Sequence, residues 1–333
     1  MAGVKLLRKI ILGKETTAGT AIATTTVWRG TGTLEDQREV IHVDEDIGYL
    51  SKVTRTNTPK YQGAITIEGD ASFEQLIHVL NAGVKSVTSP SADGSGSGKI
   101  YAFPFPTTSA NTIKSYTIEG GDNQQAEEME YSFVRKFSIQ GAGGEPLKVS
   151  ADWVGRQITP TDFTTSGVTI PTVETINFGK GKLYIDAISG TQGTTQITNS
   201  FLDMTLNVNT GWQPVYTGDG NKYFSFPKCI GPEITLDVTF EHDTTGVAQV
   251  AAWRAETAQL VRAVFQGAAL TTAGTTYTYK SLVIDLAGKI EKATPLKDVD
   301  GNDVVTITYR GAYDSTASKF ATITVVNEVA SLP

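Results

Sequence analysis

The residues able to do chemistry are few and lie far apart. Histidine occurs at His42, His78 and His242, and cysteine only at Cys229. A zinc site needs about four converging ligands, and no spacing here supplies them. The run Asp93-Gly94-Ser95-Gly96-Ser97-Gly98-Lys99-Ile100 has the look of a phosphate loop. It lacks the first Gly at the right offset, and Ile100 stands where Ser or Thr would hold magnesium. Asp298-Val299-Asp300-Gly301-Asn302-Asp303 approaches a calcium loop, but the Gly comes two positions early and no Glu closes it, so it reads as a hairpin turn. Asp44-Glu45-Asp46 and Glu127-Glu128 with Glu130 read as solvated acidic faces. No GxSxG is present, and Trp28, Trp153, Trp212 and Trp253 are too scattered for a sugar-binding platform. The expectation is a protein without catalytic residues, cofactor or metal: not an enzyme.

Bulk properties narrow the class. The chain has 333 residues, a formal net charge of −7, 33 Gly and 39% hydrophobic residues. An acidic balance disfavours gripping nucleic acid, which takes basic footprints. A single cysteine excludes an intrachain disulfide and suits a reducing compartment. In MAGVKLLRKIILGKE the cations Lys5, Arg8 and Lys9 interrupt any signal-peptide core, and no run of about 18 apolar residues exists to span a membrane. A soluble protein made in the cytoplasm is expected.

Abundant Thr and Gly favour strands and turns. Residues 1–30 read as an extended arm, either a loose terminus or a segment that docks on a neighbouring subunit. A first unit follows over 31–155. Its strand 65–70 alternates apolar and polar and runs into a helix with the stripe Phe73, Leu76, Ile77, Leu80 and Val84, Ser72 as N-cap and a stop at Asn81-Ala82-Gly83. The Gly/Ser stretch 89–99 reads as a mobile loop. Strands are expected at 100–105, 113–119, 131–140 and 147–154, with a hairpin turn at GAGGEP. Residues 156–172 read as a linker. The second unit, 173–333, replays the plan. Strand 234–240 precedes a helix over about 246–266, with Val250, Trp253, Thr257, Leu260, Val261, Val264 and Phe265 as its stripe and Gly267 as its stop. Strands 277–286, 303–310 and 320–327 follow, the first two joined near Asp300-Gly301. Each unit carries a long insertion ahead of its helix, at 35–60 and 209–230, and loops of that size usually have a job.

Side chains alternate across a strand, so each strand has two faces. Thr66, Glu68 and Asp70 oppose Ile65 and Ile67. Asp203, Thr205 and Asn207 oppose Met204, Leu206 and Val208. Thr235, Asp237, Thr239 and Glu241 oppose Ile234, Leu236, Val238 and Phe240. One face of each sheet is expected under its helix and the other in water. The wet face is either an ordinary solvated sheet or a mildly acidic surface past which a polyanion slides without being held.

The ordered combination of LRKIILGKETTAGTAI, GAITIEGDASFEQLIHVLNAGV and FVRKFSIQGAGGEPLKVSADWVGR resembles the major tail tube proteins of long-tailed bacteriophages. The resemblance covers most of 1–155, and 175–327 through the repeated plan. It implies a mainly β fold of two tandem β-sandwich or half-barrel units, each with one flanking helix. It also implies self-association into rings stacked as a tube in the virion tail. With two units per chain the ring is trimeric with a pseudo-sixfold lumen, and the partners are tape-measure and tail-end proteins and, in passing, viral DNA. Thr66, Glu68, Asp70, Asp203, Thr205, Asn207, Thr235, Asp237, Thr239 and Glu241 become candidate lumen residues. Asp44, Asp46, Tyr49, Arg55, Trp212, Tyr216, Tyr223 and Phe224, in the two insertions, become candidate ring-stacking residues. The rival readings are another tail component, such as a terminator or baseplate hub, a capsid decoration protein, a bacterial adhesin or pilus-type subunit, and an enzyme or carbohydrate-binding module.

Overall fold

The computed structural model describes residues 2–87, 89–299 and 301–332. Met1 and Pro333, the ends of the expected arm and second unit, and Asp300 of the expected turn lie outside them. In the first half the chain forms β1 (Lys9–Lys14), β2 (Thr26–Val27), β3 (Glu35–Arg38), β4 (Ile41–Asp44), β5 (Val53–Asn57) and β6 (Tyr61–Asp70). Helix α1 (Leu76–Gly83) follows, then β7 (Ser91–Ala92), β8 (Lys99–Pro104), β9 (Tyr116–Gly121), β10 (Ala126–Ala142), β11 (Lys148–Gly155) and β12 (Ile158–Thr161). The second half gives β13 (Gly181–Ala187), β14 (Gln196–Ile197), β15 (Phe201–Asn209), β16 (Trp212–Val215), β17 (Phe226–Cys229) and β18 (Glu233–Glu241). It ends with α2 (Thr244–Arg254), β19 (Ala258–Ala269), β20 (Tyr279–Ala293), β21 (Lys297–Val299), β22 (Asn302–Gly311) and β23 (Ala321–Asn327).

The fold is mainly β, as its Thr- and Gly-rich sequence leads one to expect. Hydrogen bonding follows one order in each half. In the first it runs β1, β9, β10, β11, β6, β3. In the second it runs β13, β19, β20, β22, β18, β15. The halves are not separate bodies. Strand β10 pairs with β15 from Lys136↔Asn209 to Ala142↔Asp203, which makes one sheet of β3, β6, β11, β10, β15, β18 and β22. On the far side of the core β8 pairs with β23, a second seam between the halves. Alternation sends Ile65, Ile67, Trp153, Phe137, Ile139, Leu206, Leu236 and Tyr309 into a single apolar core between these layers.

Four segments depart from the expectations. Lys9–Lys14 is not arm but strand: its apolar run IILG is buried, pairs with β9 on one edge and reaches β2 on the other. The second helix stops at Arg254, and 258–269 is strand. The short run LVRAVF fits both periods; pairing on both edges, with β13 and β20, decides for the strand that buries Val261, Ala263 and Phe265. The Gly/Ser loop is pinned, because the carboxylate of buried Asp93 accepts from the backbone N–H groups of Thr276 (2.9 Å) and Tyr277 (2.7 Å). The expected linker is packed as well: β12 pairs with β10, and Thr169 bonds Thr25 and Val27.

Candidate functional site

The candidate lumen residues converge on one surface. Because the sheet is continuous, residues of one face line up across it in rows set by register. One row runs Glu68, Ser150, Ser138, Asn207, Thr235, Arg310. The next runs Asp70, Lys148, Gln140, Thr205, Asp237, Thr308. A third begins Thr66, Asp152, Lys136, Asn209, Glu233, and a shorter one holds Asp203, Thr239 and Thr306. Glu241 ends β18 on the same side, exposed. All ten residues singled out from the sequence therefore share a face, although Thr239 is covered by its neighbours.

The carboxylates on this face are held by hydroxyls and amides. Thr66 Oγ1 donates to Asp152 Oδ1 at 2.8 Å, and Ser150 Oγ to Glu68 at 3.4 Å. Asp237 accepts from Thr308 Oγ1 and, at 3.5 Å, from Asn207 Nδ2. Half-burial raises the Asp203 carboxyl, and neighbouring Asp237 raises it further against the hydrogen bond from Thr239. The cations are fewer: Lys136, Lys148, Lys289, Lys292, Lys297 and Arg310. Arg310 is shared between Glu233 (3.3 Å) and Glu291 (3.4 Å). Lys136 and Lys148 are corrections to the cation-poor expectation. They were readable, since Lys136, Ser138 and Gln140 alternate with Phe137 and Ile139, but the strands 131–140 and 147–154 carry mixed polar residues that do not announce a face on their own.

The two insertions are built differently. Strands β4 and β5 form a hairpin paired only with itself. Asp44, Tyr49 and Arg55 are exposed on it, as are Val40, Ile41, Ile47 and Leu50, and Asp46 stands beyond β4 on its turn. Arg55 closes the hairpin through an ion pair to Glu45 at 2.8 Å. The second insertion, β16 with β17, folds down onto the first half. Phe224 and Trp212 are buried with Phe133 and Val154, so they are not free to touch another ring: the aromatic content that marked this loop for contact serves instead to bury it. Tyr223 packs edge-on against Tyr61, and Tyr216 Oη donates to Gln62 at 2.9 Å. Arg156 ties the loop down by donating to the carbonyls of Phe224 (3.2 Å) and Ser225 (2.8 Å).

The residues read as chemically idle stay apart. His78 is wholly buried in α1 with Nδ1 3.3 Å from the Tyr116 hydroxyl, and burial, aided by the Lys14 charge, pushes its pKa down to about 4. Among the described residues no three His, Cys, Asp or Glu side chains gather as metal ligands. No described helix is long and apolar enough to cross a membrane. A mainly β chain whose two halves share one sheet with an open polar face has the build of a structural protein of the tail-tube class. The family model for phage tail tube proteins matches residues 7–315, and the chain belongs to that family. No curated protein matches the sequence. As a member it is a structural component of the virion tail that assembles with its own kind and with other tail proteins.

Proposed function

We propose that the polar face of the continuous sheet is the wall of the tail channel. Three chains, each bringing two units, would then complete a ring with a pseudo-sixfold lumen, and the hairpin Ile41–Asn57 would seat on the adjacent ring. The observation that carries this reading is the run of register rows through both halves across the β10–β15 joint. A wall of carboxylates capped by Thr, Ser and Asn repels phosphate and offers it no bidentate grip, so DNA slides by. Arg310 is set between Glu233 and Glu291 and Lys148 opposite Asp70, so these cations are met by acids of the same wall and do not stand bare toward phosphate. Before DNA passes, the same hydrated wall suits a tape-measure protein, and tail-end proteins cap the stack.

The hairpin reading rests on its surface. Leu50 and Tyr49 stand fully and three-quarters exposed at its tip (107% and 74%), an apolar end with no cover in its own chain. Electron microscopy of the purified protein, concentrated until it polymerises, tests the proposal. Stacked rings of three chains with Glu68, Asp203 and Asp237 toward the channel are expected. Tubes that present this face outward, or a chain that never polymerises, overturn it.

A further inference from the structure

Among the described residues, the sheet that runs through both halves has a finished joint between them and an open edge at each end. Among the described residues β3 is paired on one side only, with β6. At the opposite end of the sheet β20 leaves β19 after Lys289↔Ala258, so from Ile290 onward it is paired only with β22. The internal joint shows what these edges fit.

The correspondence is set by a bulge. On β10 the register with β11 slips once, at Arg135, between Val134↔Trp153 and Lys136↔Asp152. On β20 the register with β22 slips once, at Glu291, between Ile290↔Tyr309 and Lys292↔Thr308. The partners agree one strand further out: Trp153 faces Ile65 on β6, and Tyr309 faces Leu236 on β18. Trp153 and Tyr309 are both 1% exposed, two large aromatics on matching core positions. Bulges re-aim a strand and are retained as designed features, so the match fixes Lys292 as the counterpart of Lys136. At the other end, Glu35↔Ala64 on β3 and β6 answers to Asn207↔Thr235 on β15 and β18, which makes Glu35 the counterpart of Asn207 and Gln37 of Asn209.

We propose that the edge of β20 in one copy of this chain joins the β3 edge of the next in the register of the β10–β15 joint, with Lys292 opposite Gln37 and Thr294 opposite Glu35. This deepens the tube reading above and rests on it. The internal pairs Lys136↔Asn209 and Ser138↔Asn207 are the template. Charge agrees: Lys292 comes to lie diagonal to both Glu35 and Glu39, within reach for long side chains. The contact is heterologous, one edge meeting a different edge, so it propagates from copy to copy and stops only when a ring closes. It also covers two exposed sheet edges that otherwise invite indiscriminate pairing. Pro295 occupies the position of Ile139 and has no N–H to give, so the joint between chains is shorter than the joint within one. Rings therefore come apart between chains before they come apart between halves.

A disulfide pair tests the register. Thr294 turns its N–H toward the Thr306 carbonyl on β22, so toward a new neighbour it is a non-hydrogen-bonded position. Opposed residues there have Cα atoms about 4.5 Å apart, within disulfide range. The full-length chain carrying C229S, E35C and T294C is oxidised at polymerising concentration and run on a non-reducing gel. Covalent dimers and a terminal species equal to the chains in one ring are expected, with less than about a tenth of that yield from D36C with T294C, whose side chains point to opposite faces. The pair S138C with N207C in C229S must cross-link within one chain. Tubes that form normally but give no E35C–T294C oligomers overturn the joint and leave the tube reading standing. A chain that stays monomeric at every concentration overturns the tube reading and this joint with it.

Discussion

Each half of the molecule sets a hairpin ahead of the strand that leads into its helix, yet the halves invert which of the two is packed. In the first, the hairpin β4–β5 stands clear of the body while all eight residues of α1 are buried. In the second, the hairpin β16–β17 is fastened to the first half by Phe224, Trp212 and Arg156, while α2 buries only Gly246 and Gln249 and leaves Val247 and Trp253 exposed. Sequence explains the inversion. The α1 segment LIHVLNAG is apolar on nearly every side and stays folded only inside; TTGVAQVAAWR is mixed and holds as a surface helix. The second insertion brings aromatics that fill a pocket beside Phe133, and the first brings apolar residues that find no cover in their own chain. Place in the chain sets where an element starts, and side-chain content sets what it meets.

The largest test of this contrast removes the free hairpin. Ile41 and Asn57 face each other across it, so Gly-Gly in place of 42–56 closes the gap with a two-residue turn. We expect the chain to unfold at the same denaturant midpoint as before and to form no long tubes by negative-stain microscopy. Normal tubes would show that the hairpin has no part in stacking. The matching cut in the second hairpin is a single atom group. Phe224→Ala empties a fully buried ring site and should cost about 3–5 kcal/mol, read as a lower urea midpoint at unchanged slope. A loss under about 1 kcal/mol would mean that the second hairpin is as free as the first.

The helices answer to pH in the same unequal way. His78 lies in the buried one with its folded pKa near 4, against an ordinary value of 6.5, so folding holds it neutral. Its contribution is complete above the unfolded value and drains as pH falls from there through the folded value. The linkage is of order 3 kcal/mol between pH 7 and pH 4, levelling off below. Urea midpoints measured across that range should fall, and His78→Gln should flatten the fall. An equal slope in the variant would assign the acid sensitivity to groups other than His78; Glu128 and Glu130, whose carboxyls burial raises, work in the opposite sense, adding stability as pH falls.

Much of this was legible beforehand, in proportion to how local the signal is. Strict alternation along β6, β15 and β18 places the ten face residues without any tertiary knowledge, and the α1 stripe is a local pattern too. The joint that brings them onto one sheet is not local: β10 meets β15 about 65 residues later, and nothing in either strand names the other. The extent of the second helix failed for a related reason, since LVRAVF satisfies two periods and only its neighbours β13 and β20 choose. The aromatics of the second insertion mark a loop that makes contacts, but nothing local in them shows that Trp212 and Phe224 pack on Phe133 and Val154 of their own chain.

The smallest expected effect separates the two helices most finely. The exposed one has a designed start: the Asp243 side chain accepts from the N–H groups of Thr245 (2.8 Å) and Gly246 (3.0 Å) and takes a bond from Ser200 Oγ (3.1 Å). Burial raises its carboxyl, but the bonds from Gly246, Ser200 and Thr245 outweigh that and hold it below the usual carboxylate range. The buried helix has no such cap; Gln75 stands at its start without a side-chain bond to the helix, and tertiary packing does the holding. Asp243→Ala should therefore cost only about 1 kcal/mol, and the loss should be local. Amide exchange should quicken through Thr244–Arg254 and stay slow in Leu76–Gly83. If both helices speed up together, α2 is as deeply coupled to the core as α1, and the inversion between the halves is one of appearance only.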